Sequence, residues 1–408
     1  MTVAVVAQTS SNSPYTRYGF GELSDQNFGN SKAMGGIAYG LRNGFQINAA
    51  NPASYTAIDS LTFLFDAGMS LQNTNFQENG VKTNAKNSRV DYIAMQFRLF
   101  KRMAMTAGFL PFSTVGYNMS QTKVIAKDEY GNNISSLDQY SGDGGLQQVF
   151  VGLGYKVFDN LSVGANFSYL YGDITHTAST TFSNSNAFSS VRSDKISISD
   201  YKIDLGLQYT HRFGKKHAVN VGAVYSFGHD LNSDGFMYQE TYNSSSVIQG
   251  QTADSISNAF SLPSTFGAGV TYVYDNRLTV GADLTYQNWK DVDFYNKKGN
   301  FSNRTKVSFG AEYLPNPVSR NYLNRIRYRV GAHYATPYTK VNGQESNREY
   351  GVSFGFGLPI FQSKSILNIS GQYVKMSPKI KGMLEENVLR LNIGLTFNER
   401  WFMKWKVD

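Results

Sequence analysis

Three arginines recur at every second position in Arg325, Arg327 and Arg329. On a strand, that spacing sends all three guanidinium groups to one face. Neighbours on such a face lie ~7 Å apart, and at an effective dielectric near 20 each adjacent pair repels by roughly 2 kcal/mol. Carboxylates or water must offset that repulsion. Glu312 and Asp283 stand upstream at matching parity, and Glu22 and Asp25 are further acidic candidates near the N-terminus. A cluster of this kind can bind an acidic head group, tie two parts of the fold together through ion pairs, or simply form a solvated wall. No other constellation suggests chemistry. The five histidines, His176, His211, His217, His229 and His333, form no close metal-ligand pair, and His333 reads as a polar neighbour on the arginine face. There is no phosphate-binding glycine loop and no G-x-S-x-G elbow. The chain has no cysteine, which removes disulfides and thiolate metal sites. We therefore expect no catalytic residue, no metal and no cofactor. The net charge of +8 is spread along the chain with no basic block, so a nucleic-acid partner is not expected.

The elements that must carry these residues show a period of two. In Leu389–Phe397, Leu389, Leu391, Ile393, Leu395 and Phe397 alternate with Arg390, Asn392, Gly394 and Thr396, and polar Asn398 follows. Leu278–Trp289, Ile326–Tyr334, Leu161–Tyr171 and Tyr201–Tyr209 repeat the pattern. Such alternation is the signature of strands with one apolar face. About fourteen such segments are legible: 61–74, 90–99, 103–112, 146–157, 161–172, 199–212, 218–228, 263–274, 278–289, 305–314, 326–336, 350–360, 366–376 and 388–398. Most have the ~10–14 residues that a tilted strand needs to cross a bilayer. No run approaches the ~18–20 apolar residues of a spanning helix.

The connections alternate in length. Short turns at Phe100–Arg102, Phe158–Asn160, Phe213–Lys216 and Asp275–Arg277 are interleaved with long polar stretches at 113–145, 173–198 and 229–262. Short turns at one rim and long loops at the other describe an outer-membrane barrel, antiparallel and up-and-down. A sheet in hydrocarbon must close on itself, because an open edge strands backbone polar groups. The apolar set then faces lipid and lipopolysaccharide, while Arg390, Asn392 and Asn398 face the lumen. Trp401 and Trp405 fit an interfacial girdle past the last strand. An even strand number places both termini at the short-turn, periplasmic side of a Gram-negative outer membrane.

Side chains alone cannot fill so wide a barrel. Residues 8–57 lack the alternation and are rich in small residues, among them Ala33, Gly35, Gly36, Ala38, Gly40 and Gly44. They are expected to form a plug, packed where lumenal glycines such as Gly152, Gly154, Gly267, Gly269, Gly355 and Gly357 let its backbone approach. Tyr15, Tyr18, Phe20 and Phe45 are its candidate pocket residues, and the arginine cluster is a candidate latch. The expected organisation is thus a signal-peptide remnant at 1–7 (Val5-x-Ala7 before Gln8), a plug at 8–57, a barrel at 58–398 and a tail at 399–408.

Asn51-Pro52-Ala53, after a Gly/Ala-rich segment and before the first strand, resembles the hatch end of the long-chain fatty-acid transporter family of the FadL/TodX type. Gly35 and Gly36 belong to the same hatch segment. "GFLPF" (108–112) with Gly116-Tyr117, "VGLGYKVFDNLSVGANFSYLYG" (151–172) and "YRVGAHYATPY" (328–338) match in order. "LPSTFGAGVTYVYDNRLTVGADLTYQNW" (262–289) is the fullest match, with Asp283 and Trp289 at family-like positions. The resemblance implies a fourteen-stranded barrel with an N-terminal hatch and passive uptake of a hydrophobic compound, released sideways through the wall. Family members that take up fatty acids catch them on apolar outer helices and grooves. Here 176–198 and 240–258 are polar and show no amphipathic helix pattern. The "SPYTRYGFG" start resembles the branch associated with outer-membrane assembly or secretion machines, which implies an accessory subunit docked on other outer-membrane proteins or lipoproteins.

Overall fold

The computed structural model describes residues 11–400, except 79, 128, 342, 361–363 and 380–382. The expected signal remnant at 1–7, Trp401 and Trp405, most of the 399–408 tail and both termini lie outside the described residues. The alternating segments form β1 (Thr62–Glu78), β2 (Val81–Phe100), β3 (Met103–Pro111), β4 (Gln147–Lys156) and β5 (Leu161–Phe182). They continue as β6 (Ser189–Phe213), β7 (His217–Ser226), β8 (Thr265–Tyr274), β9 (Leu278–Gln287) and β10 (Arg304–Tyr313). The last four are β11 (Arg327–Ala335), β12 (Arg348–Pro359), β13 (Ile366–Ser377) and β14 (Glu385–Arg400). Each pairs antiparallel with its chain neighbours, and β1 pairs with β14 from Thr62↔Arg400 to Gln77↔Glu385, which closes a barrel of 14 strands.

The two faces are sorted as the alternation requires. Leu389, Leu391, Leu395 and Phe397 point outward and are exposed in the isolated chain, while Arg390, Asn392, Thr396 and Asn398 are buried within. A water-soluble barrel would reverse this. Turn chemistry fixes the short-turn rim. In the three-residue β8–β9 connection, Asp275 and Asn276 adopt left-handed φ of 51° and 52°, which Asp and Asn tolerate, in a turn closed by the Arg277 amide donating to the Tyr274 carbonyl at 2.9 Å.

The long polar stretches are strands rather than loops. Ser113–Lys127 pairs with Asn133–Gly144, which pairs with the upper part of β5; upper β6 pairs with Ser233–Tyr242, which pairs with Ile248–Ser257. In their outer parts, such as Ser120–Lys127, every residue is exposed, so the apolar contrast that marks a buried face is absent; nearer the wall, Val115, Ile174, Ile196 and Ile198 are buried in the mouth.

The segment before β1 fills the lumen. It descends from a 3-10 turn at Pro14–Arg17, through a short strand at Glu22–Leu23 and a helical turn at Gly29–Lys32, to a 3-10 helix at Pro52–Ala57 near the short-turn rim. Lumenal glycines receive it, Gly154 among those expected to, whereas Gly357 faces the Arg327 and Arg329 side chains of the wall instead. A Cβ on Gly154 would lie 2.8 Å from the Pro52 carbonyl oxygen, and one on Gly331 would overlap the Met34–Gly35 peptide. Gly35 and Gly36, at φ of 67° and 87°, turn the plug backbone against this wall.

Candidate functional site

The plug is held by backbone groups meeting lumenal side chains. The Asp283 carboxylate accepts the Ala38 and Tyr39 amides at 2.5 and 2.8 Å. The Ser353 hydroxyl accepts the Gly35 amide at 2.9 Å and donates to the Ala33 carbonyl at 3.0 Å. Asn166 donates to the Ala49 carbonyl and accepts from the Tyr55 hydroxyl, at 2.9 and 2.8 Å. The Asn-Pro-Ala motif has a local explanation. The Asn51 Oδ1 caps the Pro52–Ala57 helix by accepting the Ala53 amide at 3.1 Å, and Pro52 occupies the first helical position, where its missing N–H costs nothing. The same Asn51 donates to the Tyr39 and Leu207 carbonyls at 2.8 and 3.2 Å, which joins helix cap, plug and wall in one side chain.

Ion pairs add a second set of ties. Lys32 Nζ lies 2.6 Å from Asp91 Oδ2, with both side chains nearly inaccessible, and Arg89 reaches the other Asp91 oxygen at 3.0 Å. Glu22 meets Arg390 at 3.2 Å, and Asp25 meets Lys306 at 2.5 Å. Burial depresses the Lys32 ammonium to about 8, against the pull of Asp91 toward a higher value. Burial alone would raise the Asp25 carboxyl. Lys306, with His333 and Arg304 behind it, outweighs that and holds it well below the usual carboxylate range.

The predicted charge cluster resolves into separate parts. Glu312 receives Arg327 and Arg329 at 2.7 Å each, and Arg329, 1% exposed, also donates to Asn368 at 2.6 Å. The contact with the plug is indirect: Gln46 donates to the same Asn368 oxygen at 3.0 Å. Arg325 ends the 3-10 turn Tyr322–Arg325 ahead of β11, where strand parity does not yet apply, and stacks over Tyr322. Asp283 sits apart on the plug backbone, and Glu22 and Asp25 answer other cations. The Lys32, Asp91 and Lys306 ties were not singled out from sequence. Lumenal parity was an available signal for Lys306, whereas Asp91 has the parity of outward-facing Ile93 and Met95 and turns inward at a bulge opposite Gly68 and Met69.

The four candidate pocket aromatics are dispersed. The Tyr15 hydroxyl donates to the Leu384 carbonyl at 2.8 Å in the loop half, and Tyr18 borders an outer groove. Phe20 is fully buried in a cluster with Phe260, Trp289, Val292, Phe301 and Tyr338 that fills the loop-side mouth. Phe45 lies at the opposite end under Lys364, whose ammonium is 5.7 Å from the ring and which pairs with Asp59. Beside the plug lies a cavity of about 160 Å³ whose lining includes Asp25, Lys202, Asp204, Arg304 and Lys306.

The wall has one discontinuity next to that cavity. The β2–β3 ladder ends at Ile93↔Phe109. Beyond it the chain turns at Phe112, and Ser113 and Thr114 pair with Leu23 and Glu22 of the plug. Residues 81–92 of β2 keep only β1 as ladder partner among the described residues. Leu110 and Phe112, at the break, both line the cavity.

The fold is similar to that of the P. putida toluene transporter TodX, with a TM-score of 0.65 and 15% identity over 93% of this chain and 100% of that one. A Pseudomonas aeruginosa FadL homologue matches at 0.62 with 12% identity over 93% and 100%, and the Ralstonia pickettii toluene transporter TbuX at 0.58 with 16% over 93% and 99%. No curated protein sequence matches the chain. These neighbours share the fold of this chain, a closed antiparallel β-barrel of the FadL type. The BamG family profile matches residues 1–408, in agreement with the assembly-associated branch that the N-terminal stretch resembles, and the chain belongs to the BamG family.

Proposed function

We propose that this protein is a non-enzymatic accessory subunit of an outer-membrane assembly complex, with its short turns in the periplasm and its tall hairpins outside. The observation that carries this reading is the occupied lumen. The plug is tied to the wall at many heights, the mouth is packed with aromatic side chains, and the small cavity beside the plug has paired charged groups, Asp25 and Lys306 among them, set in its otherwise largely apolar lining. A hydrophobic solute entering that space would have to displace Lys306 or Asp25 from a partner, at a cost that dispersion contacts in so small a cavity do not return. Family membership supports the same reading. The test is purification of the tagged full chain from outer membranes in mild detergent. Stoichiometric co-purification of other outer-membrane proteins or lipoproteins is expected; a single species that carries a bound apolar molecule would overturn it.

The wall break between β2 and β3 favours a second reading, uptake of a hydrophobic compound that passes from the cavity sideways into the membrane. It has its own discriminating measurement. Deletion should then impair growth on a hydrophobic substrate specifically, whereas loss of an assembly subunit should produce a general envelope defect.

A further inference from the structure

The sheet that rises above the wall ends in a strand with one empty side. Ile248–Ser257 pairs with Ser233–Tyr242, and among the described residues its opposite edge carries no ladder. Nine of its ten residues are exposed. Natural sheets blunt such an edge with lysine, proline or a covering loop. This strand reads Ile-Gln-Gly-Gln-Thr-Ala-Asp-Ser-Ile-Ser, with neither lysine nor proline and Asp254 as its one charge.

A groove of about 540 Å³ lies against the inner face of the same hairpin. Met237 and Ile256 contribute from the sheet, and Tyr18, Phe294, Tyr295 and Phe301 from the plug and the 288–303 connection. Arg17, Arg192, Lys297 and Lys340 also line it, against a single carboxylate, Asp254. Arg192 is satisfied by Asp194 at 3.0 Å, and Lys340 donates to the Gly299 carbonyl at 2.9 Å. Lys297 and Lys340 make no ion pair among the described residues. The opposite wall is held rigid at some cost. Tyr295 and Asn296 adopt φ of 54° and 55° in a turn closed by reciprocal bonds between Phe294 and Lys297 at 3.2 and 3.3 Å. A left-handed aromatic residue is uncommon and persists where its surroundings fix it, here by ring contacts of Tyr295 to Phe260 and Phe294 at 4.9 and 5.1 Å.

We propose that the Ile248–Ser257 edge accepts an extended segment of a partner protein as an additional strand, whose inward side chains, apolar and acidic, enter this groove. The edge supplies main-chain hydrogen bonds irrespective of sequence, and the groove supplies selection at every second residue, the division of labour in strand addition. Its basic rim selects acidic side chains and its aromatic floor apolar ones. The inference rests on the reading of the protein as a docking subunit and names how one partner is held.

The test uses the full chain in mild detergent and fluorescent ten-residue peptides. One presents phenylalanine and glutamate along one strand face with serine and threonine on the other; a second is a scrambled peptide of the same composition. Two further copies carry N-methyl groups on one or the other set of alternate amides. The patterned peptide should bind at least tenfold more tightly than the scrambled one. One N-methylated copy should lose that affinity and the other keep it, because only alternate amides face the edge. Lys297→Glu with Lys340→Glu should shift preference to a peptide with lysine in place of glutamate. No binding, or equal binding of both N-methylated copies, overturns the inference. Partners retained in the pull-down despite that outcome would leave the docking reading standing, while their absence would remove that reading as well.

Discussion

Asp283 is where the plug's attachment can be measured most directly. Asp283→Ala removes the acceptor of two buried amides, those of Ala38 and Tyr39. An unpaired buried donor costs ~1–3 kcal/mol, so the docked plug should lose about 4 kcal/mol if the gap stays dry, and about 2 kcal/mol if a water enters. At ~1.4 kcal/mol per tenfold change, the undocked population rises roughly 30- to 1000-fold. Asp283→Asn keeps one acceptor oxygen and should cost about 1 kcal/mol, or fivefold. The natural chain has no cysteine, so a single Ala49→Cys, beside the cavity, gives a unique thiol. A maleimide on a bulky polymer reaches it only when the plug leaves its seat. When reseating is fast, the labelling rate reports the undocked fraction. The expected order is Ala fastest, then Asn, then the parent. Equal rates for all three would refute the argument that these two hydrogen bonds hold the plug.

Three other outcomes follow from the same geometry. Gly331→Val should displace the Met34–Gly35 peptide and destabilise the plug by ~1–3 kcal/mol or more, whereas Gly371→Ala, whose Cβ meets nothing, should be neutral; the same thiol assay and heat-modified gel mobility compare them. Trp289→Ala empties a fully buried site in the mouth and should cost ~3–5 kcal/mol, visible as raised ion conductance in planar bilayers. Asp25 has a depressed pKa, so its contribution is complete above the ordinary carboxylate value near pH ~4 and is lost as pH falls through the folded value. Thiol protection should therefore hold from pH 8 to 5 and weaken below about pH 4, and Asp25→Asn should remove that part of the acid sensitivity.

The barrel was legible because lipid imposes a stricter rule than water does. Leu389 to Phe397 must present every apolar side chain to one solvent for the whole bilayer thickness, so the alternation persists long enough to count. Above the membrane that constraint ends. Ser120–Lys127 and Ile248–Ser257 are strands whose sequences look like loops, because nearly every residue on both faces is exposed. The glycines of the wall were readable as landing places for the plug, since a glycine at lumenal parity has no packing role of its own. The ionic partners were not. Parity places Arg327, Arg329 and Lys306 on the lumenal face, while Asp91 arrives there only through a bulge opposite Gly68 and Met69, and parity says nothing about height or about which plug residue arrives opposite. That is decided by the path of residues 11–57, which has no period to read. Arg325 shows the limit most plainly: it keeps the spacing of its neighbours but belongs to a 3-10 turn, where period two has no meaning.

A gap in a barrel wall does not by itself make a route for an apolar molecule. Such a route needs a continuous apolar surface from mouth to gap, because each charged side chain along it must either stay solvated or keep its partner while the solute passes. Here the aromatic cluster, Phe20 of the plug included, fills the mouth, and the cavity beside the break sets Asp25, Lys306, Arg304, Lys202 and Asp204 among apolar residues such as Leu110, Phe112 and Leu262. The arrangement suits a wall whose upper strands must part from their neighbours to make other contacts. Where β2 loses its ladder to β3, the chain instead pairs with Leu23 of the plug and continues into the hairpins that rise above the wall. The break, the fixed plug and the tall polar sheet then have a common cause: the sheet is diverted from closing the barrel to building a surface above it. If that is correct and the protein is the docking subunit proposed above, straightening the turn at Phe112 by restoring a β2–β3 ladder should leave the plug seated and abolish co-purification of other outer-membrane proteins.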